Sequence, residues 1–274
     1  HPYMITNLCA RNIIDSVLSV MNNQSSFKIQ LKNGYKSYVI GYSQGGQTSL
    51  GTMRAVENYI PSGLKSTINL QKCYSGAGPH DLPATMESFL SKGPDGNGIV
   101  YPNLIYLVVK GIMSAGYKCM EGYKLEDFFT NEFLASGIKD GLDAKNINLG
   151  SKINEFLYFQ DLNKLITPDL QNPNSKLHKD LKKALSYNSL ASGWTVTKPV
   201  YVYHHKDDDM VPSVNIEKVK AGIAKGNNLV ECKVVTDDTG KDPTNVFDFI
   251  HVRAAPEFYT SSGKDLIKSL YSKS

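Results

Sequence analysis

The sequence predicts an α/β fold in which a mostly parallel sheet is flanked by helices. Short β-branched or aromatic runs bounded by Gly, Pro or Asn recur between stretches with helical spacing, at YKSYVI, TINLQKCYSGAG, PVYVYHH and NLVECKVV. Strands that alternate with helices need crossover connections, and crossovers bury a parallel sheet under helices on both faces. The 274 residues, 41% of them hydrophobic, suffice for one large core or a core with an insertion.

The elements follow in order. From Asn7 to Met21, apolar residues Leu8, Ile13, Ile14, Val17, Leu18 and Met21 recur at helical spacing, and NNQSS ends the run with turn formers. After Gly34 the run YKSYVI reads as a strand. It leads through a glycine-rich turn into a helix carrying Met53, Val56 and Tyr59, which stops before Pro61 because proline lacks the N–H and crowds the preceding turn. A second strand is expected from Thr67, a third over Pro199 to His205 and a fourth over Asn228 to Val235, with helices over Val214 to Ala224 and Pro256 to Tyr271. The interval from Met86 to Lys198 offers no convincing strand. It carries helical stretches at Asn103 to Met113, Leu125 to Ala135 and Leu177 to Leu185. That is too long for a loop, so residues 86–198 are expected to form a helical cap on a core built from 1–85 and 199–274.

Composition narrows the function classes. The 30 basic and 26 acidic residues are scattered, and a net charge of +4 without single-sign runs argues against nucleic acid as partner. The longest apolar patch, LIYLVV from Leu104 to Val109, falls far short of the roughly 18 residues of a membrane span, as expected for a soluble protein. Cys9, Cys73, Cys119 and Cys232 stand far apart with no C-x-x-C pair. They read as buried thiols, with one long-range disulfide as the other option, and not as a zinc site. The chain opens at His1 without methionine, basic segment or apolar signal core, so the expectation is that something upstream has been removed.

The chemistry starts at GYSQGG, which fits G-x-S-x-G with Gly41, Ser43 and Gly45 in the motif positions. A serine at a tight strand-to-helix turn is held in a strained conformation that lifts Oγ above the sheet, and flanking glycines let neighbouring chain approach. The same turn aims the N–H of Gln44, at a helix N-terminus, at the place where an oxyanion forms. A serine nucleophile needs a base, and the base an orienting carboxylate, both expected on loops at the carboxyl ends of parallel strands. HHKDDDMVPS after the third strand supplies Asp207, Asp208 and Asp209, and DFIHVRAAPEF before the last helix supplies His251.

In their order GYSQGG, HHKDDDMVP (read as G-x-x-D-x-x-V-P) and HVRAAPEF resemble the α/β-hydrolase superfamily. SGAGPHDL and the long helical insertion are similar to the secretory lipase group of fungal lipase A-type enzymes and bacterial relatives. The resemblance spans nearly the whole chain. It implies Ser43 as nucleophile, Asp208 as carboxylate, His251 as general base and Gln44 as oxyanion donor, with secretion or a periplasmic location, no cofactor, an ester or lipid substrate and a transient lipid-interface contact. Asp208 alone stands three residues before Val211-Pro212. His205 occupies the usual glycine position, which leaves Asp207 and Asp209 open as the acid.

Other residues have competing readings. Tyr42, His80, Leu104, Val108 and Ile112 are candidate pocket wall, against turn-stabilising for His80 and plain cap packing for the apolar residues. His204 and His205 read as packing or solvated beside the acid loop rather than as metal ligands, since no further ligand has suitable spacing. The aspartate triplet has a solvated turn or a weak calcium site as its rival readings. At the level of function, a serine esterase or lipase working through an acyl-enzyme stands against a serine peptidase of the prolyl-oligopeptidase type and against a non-catalytic hydrolase-fold binding protein.

One feature departs from the resemblance. In the hydrolase fold the nucleophile follows the fifth strand and the second oxyanion N–H comes from the loop after the third. Here it follows the first recognisable strand, so the fold's N-terminal strands are expected to be absent from this chain. The expectation is a C-terminal catalytic portion whose sheet is completed by an N-terminal segment or a separate chain, because an unpaired SYVI strand would be an aggregation template.

Overall fold

The computed structural model describes residues 2–91, 101–242, 244–245 and 248–271. Residues 92–100, inside the expected insertion, lie outside the described set. The order is α1 (Thr6–Asn22), β1 (Ser37–Tyr42), α2 (Gln44–Asn58), α3 (Ser62–Ile68), β2 (Leu70–Gly76), α4 (Leu82–Ser91) and α5 (Pro102–Ser114). Six short helices follow: α6 (Leu125–Phe128), α7 (Asn131–Leu134), α8 (Gly137–Asp143), α9 (Ile153–Tyr158), α10 (Leu162–Leu165) and α11 (Pro168–Gln171). The chain ends with α12 (Lys176–Ser186), β3 (Val200–His205), α13 (Val214–Ala221), β4 (Val230–Val235), α14 (Ile250–Arg253) and α15 (Ala255–Tyr271).

The chain divides into two compact units. One comprises residues 6–81 and 190–274, the other residues 1–5 and 82–189. The helical unit therefore takes in the first five residues, and its later boundary falls at Ser189 rather than 198.

In the first unit the strands form a parallel sheet in the order β1-β2-β3-β4. Alternation along each strand sends side chains to two separate cores. One face gathers Cys73, Val200, Val202 and Val230 under Ile14 of α1, Leu50, Met53 and Val56 of α2 and Ile216 and Val219 of α13. The other gathers Tyr74, Tyr201, Tyr203 and Val235 under Ala254 and Phe258, with Tyr38, Tyr42 and Leu266 partly buried against them. Fully burying an aromatic or large aliphatic side chain is worth roughly 1.5–3 kcal/mol, so these two layers dominate the unit's stability.

Two sequence expectations move. The second strand begins at Leu70, because the chain from Ser62 to Ile68 closes a helix whose C-cap, Asn69, adopts a left-handed conformation at φ 48°. The stretch from Leu125 to Ala135 is two four-residue helices, each started by its own side-chain cap. Asp127 accepts from the Lys124 N–H, and the Thr130 hydroxyl accepts from the Phe133 N–H. All four cysteines are free, and Cys119 and Cys232 are half-buried rather than buried. Among the described residues no helix is long and apolar enough to cross a membrane.

Candidate active site

β1 delivers the site. Its last residues run into α2 without a loop, and Ser43 at the junction has φ 58° and ψ −125°, a region costly for any residue with a Cβ. The turn is held at its backbone: the Ser43 N–H donates to the Gly76 carbonyl at 2.8 Å and the Ser75 hydroxyl donates to the Gly46 carbonyl at 2.7 Å. Ser43 occupies the N-cap of α2, yet its side chain makes no cap hydrogen bond. N-cap serines usually use Oγ for that bond, and this one does not. Gln44 opens α2, where a first-turn N–H has no helical carbonyl behind it and the helix dipole is positive.

The glycine expectation needs one correction. A Cβ on Gly41 would lie 2.2 Å from the Gly45 carbonyl oxygen, so Gly41 has to be glycine. A Cβ on Gly45 would meet nothing within 4 Å among the described residues, whereas one on Gly46 would sit 2.3 Å from the Gly76 carbonyl oxygen. The close approach belongs to Gly46, because α2 leans on the end of β2 at that point.

The acid loop follows β3. Asp208 is buried, its Oδ1 accepts from the N–H groups of Met210 and Val211 at 3.0 and 2.8 Å, and its Oδ2 accepts from Nδ1 of His251 at 2.7 Å. Burial pushes the Asp208 carboxyl up, but the hydrogen bonds it accepts from His251 and from the Val211 N–H outweigh it and hold the group below its usual range. The other two aspartates do different work. Asp209 accepts from the N–H groups of Ile250 and His251, both at 3.2 Å, and pairs with Lys241 at 2.5 Å. Asp207 is exposed and offers its N–H to Nδ1 of His205, whose Nε2 donates to the Asp237 carbonyl. The histidine in the glycine position therefore braces the loop.

His251 lies in α14 and is buried. Since Nδ1–H points at Asp208, Nε2 carries a lone pair, and that atom is buried without a hydrogen-bond partner among the described residues. Tyr42, next to Ser43, donates its hydroxyl to the His251 carbonyl at 2.8 Å, and the two rings stand 5.1 Å apart. Burial, with the Asp208 charge nearby, pushes the Tyr42 phenol well up, so it remains a donor. Sequence reasoning had no signal for the Asp209 and Tyr42 contacts, which depend on where the α14 backbone comes to rest.

His80 is fully buried, with Nε2 3.2 Å from the Ser75 hydroxyl. That hydroxyl already donates to Gly46, so the imidazole is the donor and stays neutral. Burial, with His204 nearby, lowers its pKa to about 3. In the helical unit, Leu104 and Val108 line an apolar cavity of about 90 Å³ with Leu82, Phe89, Leu181 and Leu185. Ile112 does not line this cavity and is fully buried in packing, since it lies one turn further along α5.

No protein-family model matches the chain, and no curated protein matches it by sequence. Solved structures do match. The ligand-bound rice cell wall degrading esterase LipA from Xanthomonas oryzae superposes with a TM-score of 0.65 at 20% identity, over 96% of this chain and 64% of that one. A candidate hydrolase from Legionella pneumophila gives 0.75 at 18%, over 100% of this chain and 66% of that one. Candida antarctica lipase A gives 0.57 at 18%, over 86% of this chain and 50% of that one. The chain thus spans slightly under two thirds of the length of the first two and half of the third. With its parallel sheet covered on both faces and its strand-turn-helix junction at Ser43, the chain has the α/β-hydrolase fold.

Proposed function

We propose that the protein is a serine hydrolase acting on carboxylic esters, with Ser43 as nucleophile, His251 as general base and Asp208 as the carboxylate that orients it. The observation that carries this reading is the 2.7 Å bond from His251 Nδ1–H to Asp208, which leaves the buried Nε2 without a partner among the described residues. A buried acceptor without a partner costs about 1–3 kcal/mol, and a fold retains such a group where function uses it.

Ser43 Oγ attacks the ester carbonyl as Nε2 takes its proton. The Gln44 N–H, at the positive end of α2, stabilises the oxyanion. The imidazolium, held by Asp208, returns the proton to the departing alkoxide and leaves an acyl-enzyme. Water activated by the same Nε2 then releases the acid. The secretory lipase resemblance points to an extracellular or periplasmic setting.

A further part of this reading is a pairing segment for β1. Among the described residues β1 pairs only with β2, and Ile40 on it is 39% exposed. An open apolar edge favours an added strand, which comes from an N-terminal segment of the same hydrolase or from a separate chain and brings the second oxyanion donor. Intact-mass analysis and a search for a co-purifying polypeptide test this. A chain of residues 1–274 that is monodisperse and fully active alone would sink it.

The central test is hydrolysis of nitrophenyl esters of graded chain length by the unsubstituted protein and by Ser43→Ala, with fluorophosphonate labelling of Ser43. Labelling and hydrolysis that both vanish in Ser43→Ala support the reading. A folded protein that neither labels nor hydrolyses favours the non-catalytic alternative.

A further inference from the structure

The acid loop holds a second histidine that the catalytic reading leaves without a role. His204, at the end of β3, is fully buried, and its Nε2 lies 2.9 Å from the carbonyl of Val211. A carbonyl only accepts, so Nε2 bears the hydrogen and His204 is the Nε2–H tautomer. The same Nε2 stands 3.8 Å from Oδ2 of Asp208, the oxygen that receives His251. Val211 closes the circuit, because its N–H donates to the other oxygen of Asp208 at 2.8 Å.

We propose that His204 is a positioning residue: by gripping the Val211 carbonyl it fixes the residue whose own N–H, in the preceding peptide group, holds Asp208 toward His251. The inference rests on the ester-hydrolase reading for its activity test only. One imidazole thus braces the loop at both ends, tying the strand that precedes it to the residue that ends the turn around Asp208. The titratable groups around it are Asp208, His205, His251 and, across the core, His80. Its Nδ1 is buried without a partner among the described residues, so a second proton there would have no acceptor. Burial accordingly holds the His204 pKa below its ordinary value, against the pull of Asp208, and keeps the donor neutral.

Three variants separate positioning from packing. His204→Phe keeps an aromatic ring without the donor, His204→Gln keeps a donor of similar reach, and His204→Asn keeps a donor too short to reach Val211. The expected result is a fall in kcat of about tenfold or more for Phe and Asn with KM nearly unchanged, and recovery to within about threefold for Gln. The downfield proton resonance of the His251 Nδ1–H should weaken in both and return in Gln. Equal losses in Phe, Asn and Gln, or retention of kcat and resonance by Phe, would overturn the proposal. If the Phe and Asn variants fail to fold, nitrogen NMR of the unsubstituted protein decides: an Nδ1–H or doubly protonated His204 at neutral pH overturns it. If the unsubstituted protein hydrolyses no ester and fails to label, the ester-hydrolase reading falls, while the resonance comparison still tests the role of His204.

Discussion

The hydroxyl of Tyr42 donates to the backbone carbonyl of His251 at 2.8 Å, joining the residue beside the candidate nucleophile to the residue proposed as its base across most of the sequence. Elbow and histidine are thereby registered to each other by a bond that belongs to neither reacting group. Tyr42→Phe removes that bond and keeps the ring packed on His251 and Phe258. Losing one such bond is worth about 1 kcal/mol, so kcat/KM for a nitrophenyl ester should fall roughly fivefold with the fold intact.

Ser43 should show opposite trends in activity and stability. Its φ of 58° suits glycine better than any residue with a Cβ. Ser43→Gly should therefore abolish hydrolysis and raise stability by about 1–3 kcal/mol, while Ser43→Ala abolishes hydrolysis and leaves the strain in place. Thermal unfolding of the two variants side by side measures the difference.

The three consecutive aspartates should separate cleanly. Asp208→Asn breaks the 2.7 Å pairing with His251 and should lower kcat by about 10³–10⁴-fold. Asp209→Asn weakens the start of α14 and its ion pair with Lys241, at a cost of about 0.5–2 kcal/mol in stability. Asp207→Asn alters an exposed side chain and should be close to neutral in both assays.

Alanine at the elbow glycines should distinguish Gly45 from its neighbours. Gly41→Ala and Gly46→Ala each drive a Cβ to within 2.3 Å of a backbone oxygen and should destabilise by about 3 kcal/mol or more, or prevent folding. Gly45→Ala should fold normally, and far-ultraviolet circular dichroism with thermal melts reads the contrast.

His80 predicts a stability slope with pH. Its folded pKa, about 3, lies below its ordinary 6.5, so the unfolded chain binds a proton that the fold refuses. The histidine's contribution is therefore intact above pH 6.5 and is lost progressively as pH falls from 6.5 toward 3, by about 1.4 kcal/mol per pH unit at most. Urea unfolding of the unsubstituted protein and of His80→Asn between pH 4 and 8 should give a shallower acid decline in the variant.

Strand-helix alternation and the sharp strand-to-helix turn at Ser43 were legible in the sequence, whereas the three aspartates after β3 stayed open until the structure paired Asp208 with His251. The legible parts rest on local physics: period-two and helical patterning, and the small residues that a sharp turn demands. Tertiary structure decided what local patterning cannot hold. That Gly46 rather than Gly45 needs to lack a Cβ depends on the Gly76 carbonyl, thirty positions away in β2. That Asp209 caps α14 and that Tyr42 reaches His251 depend on how the last helices settle over the Tyr74, Tyr203 and Phe258 layer. The role of His204 depends on its burial, which converts a histidine of ordinary loop appearance into a neutral donor aimed at one carbonyl. Spacing along a chain sets which groups can be near the ends of strands. Only packing across the sheet sets which of their atoms meet.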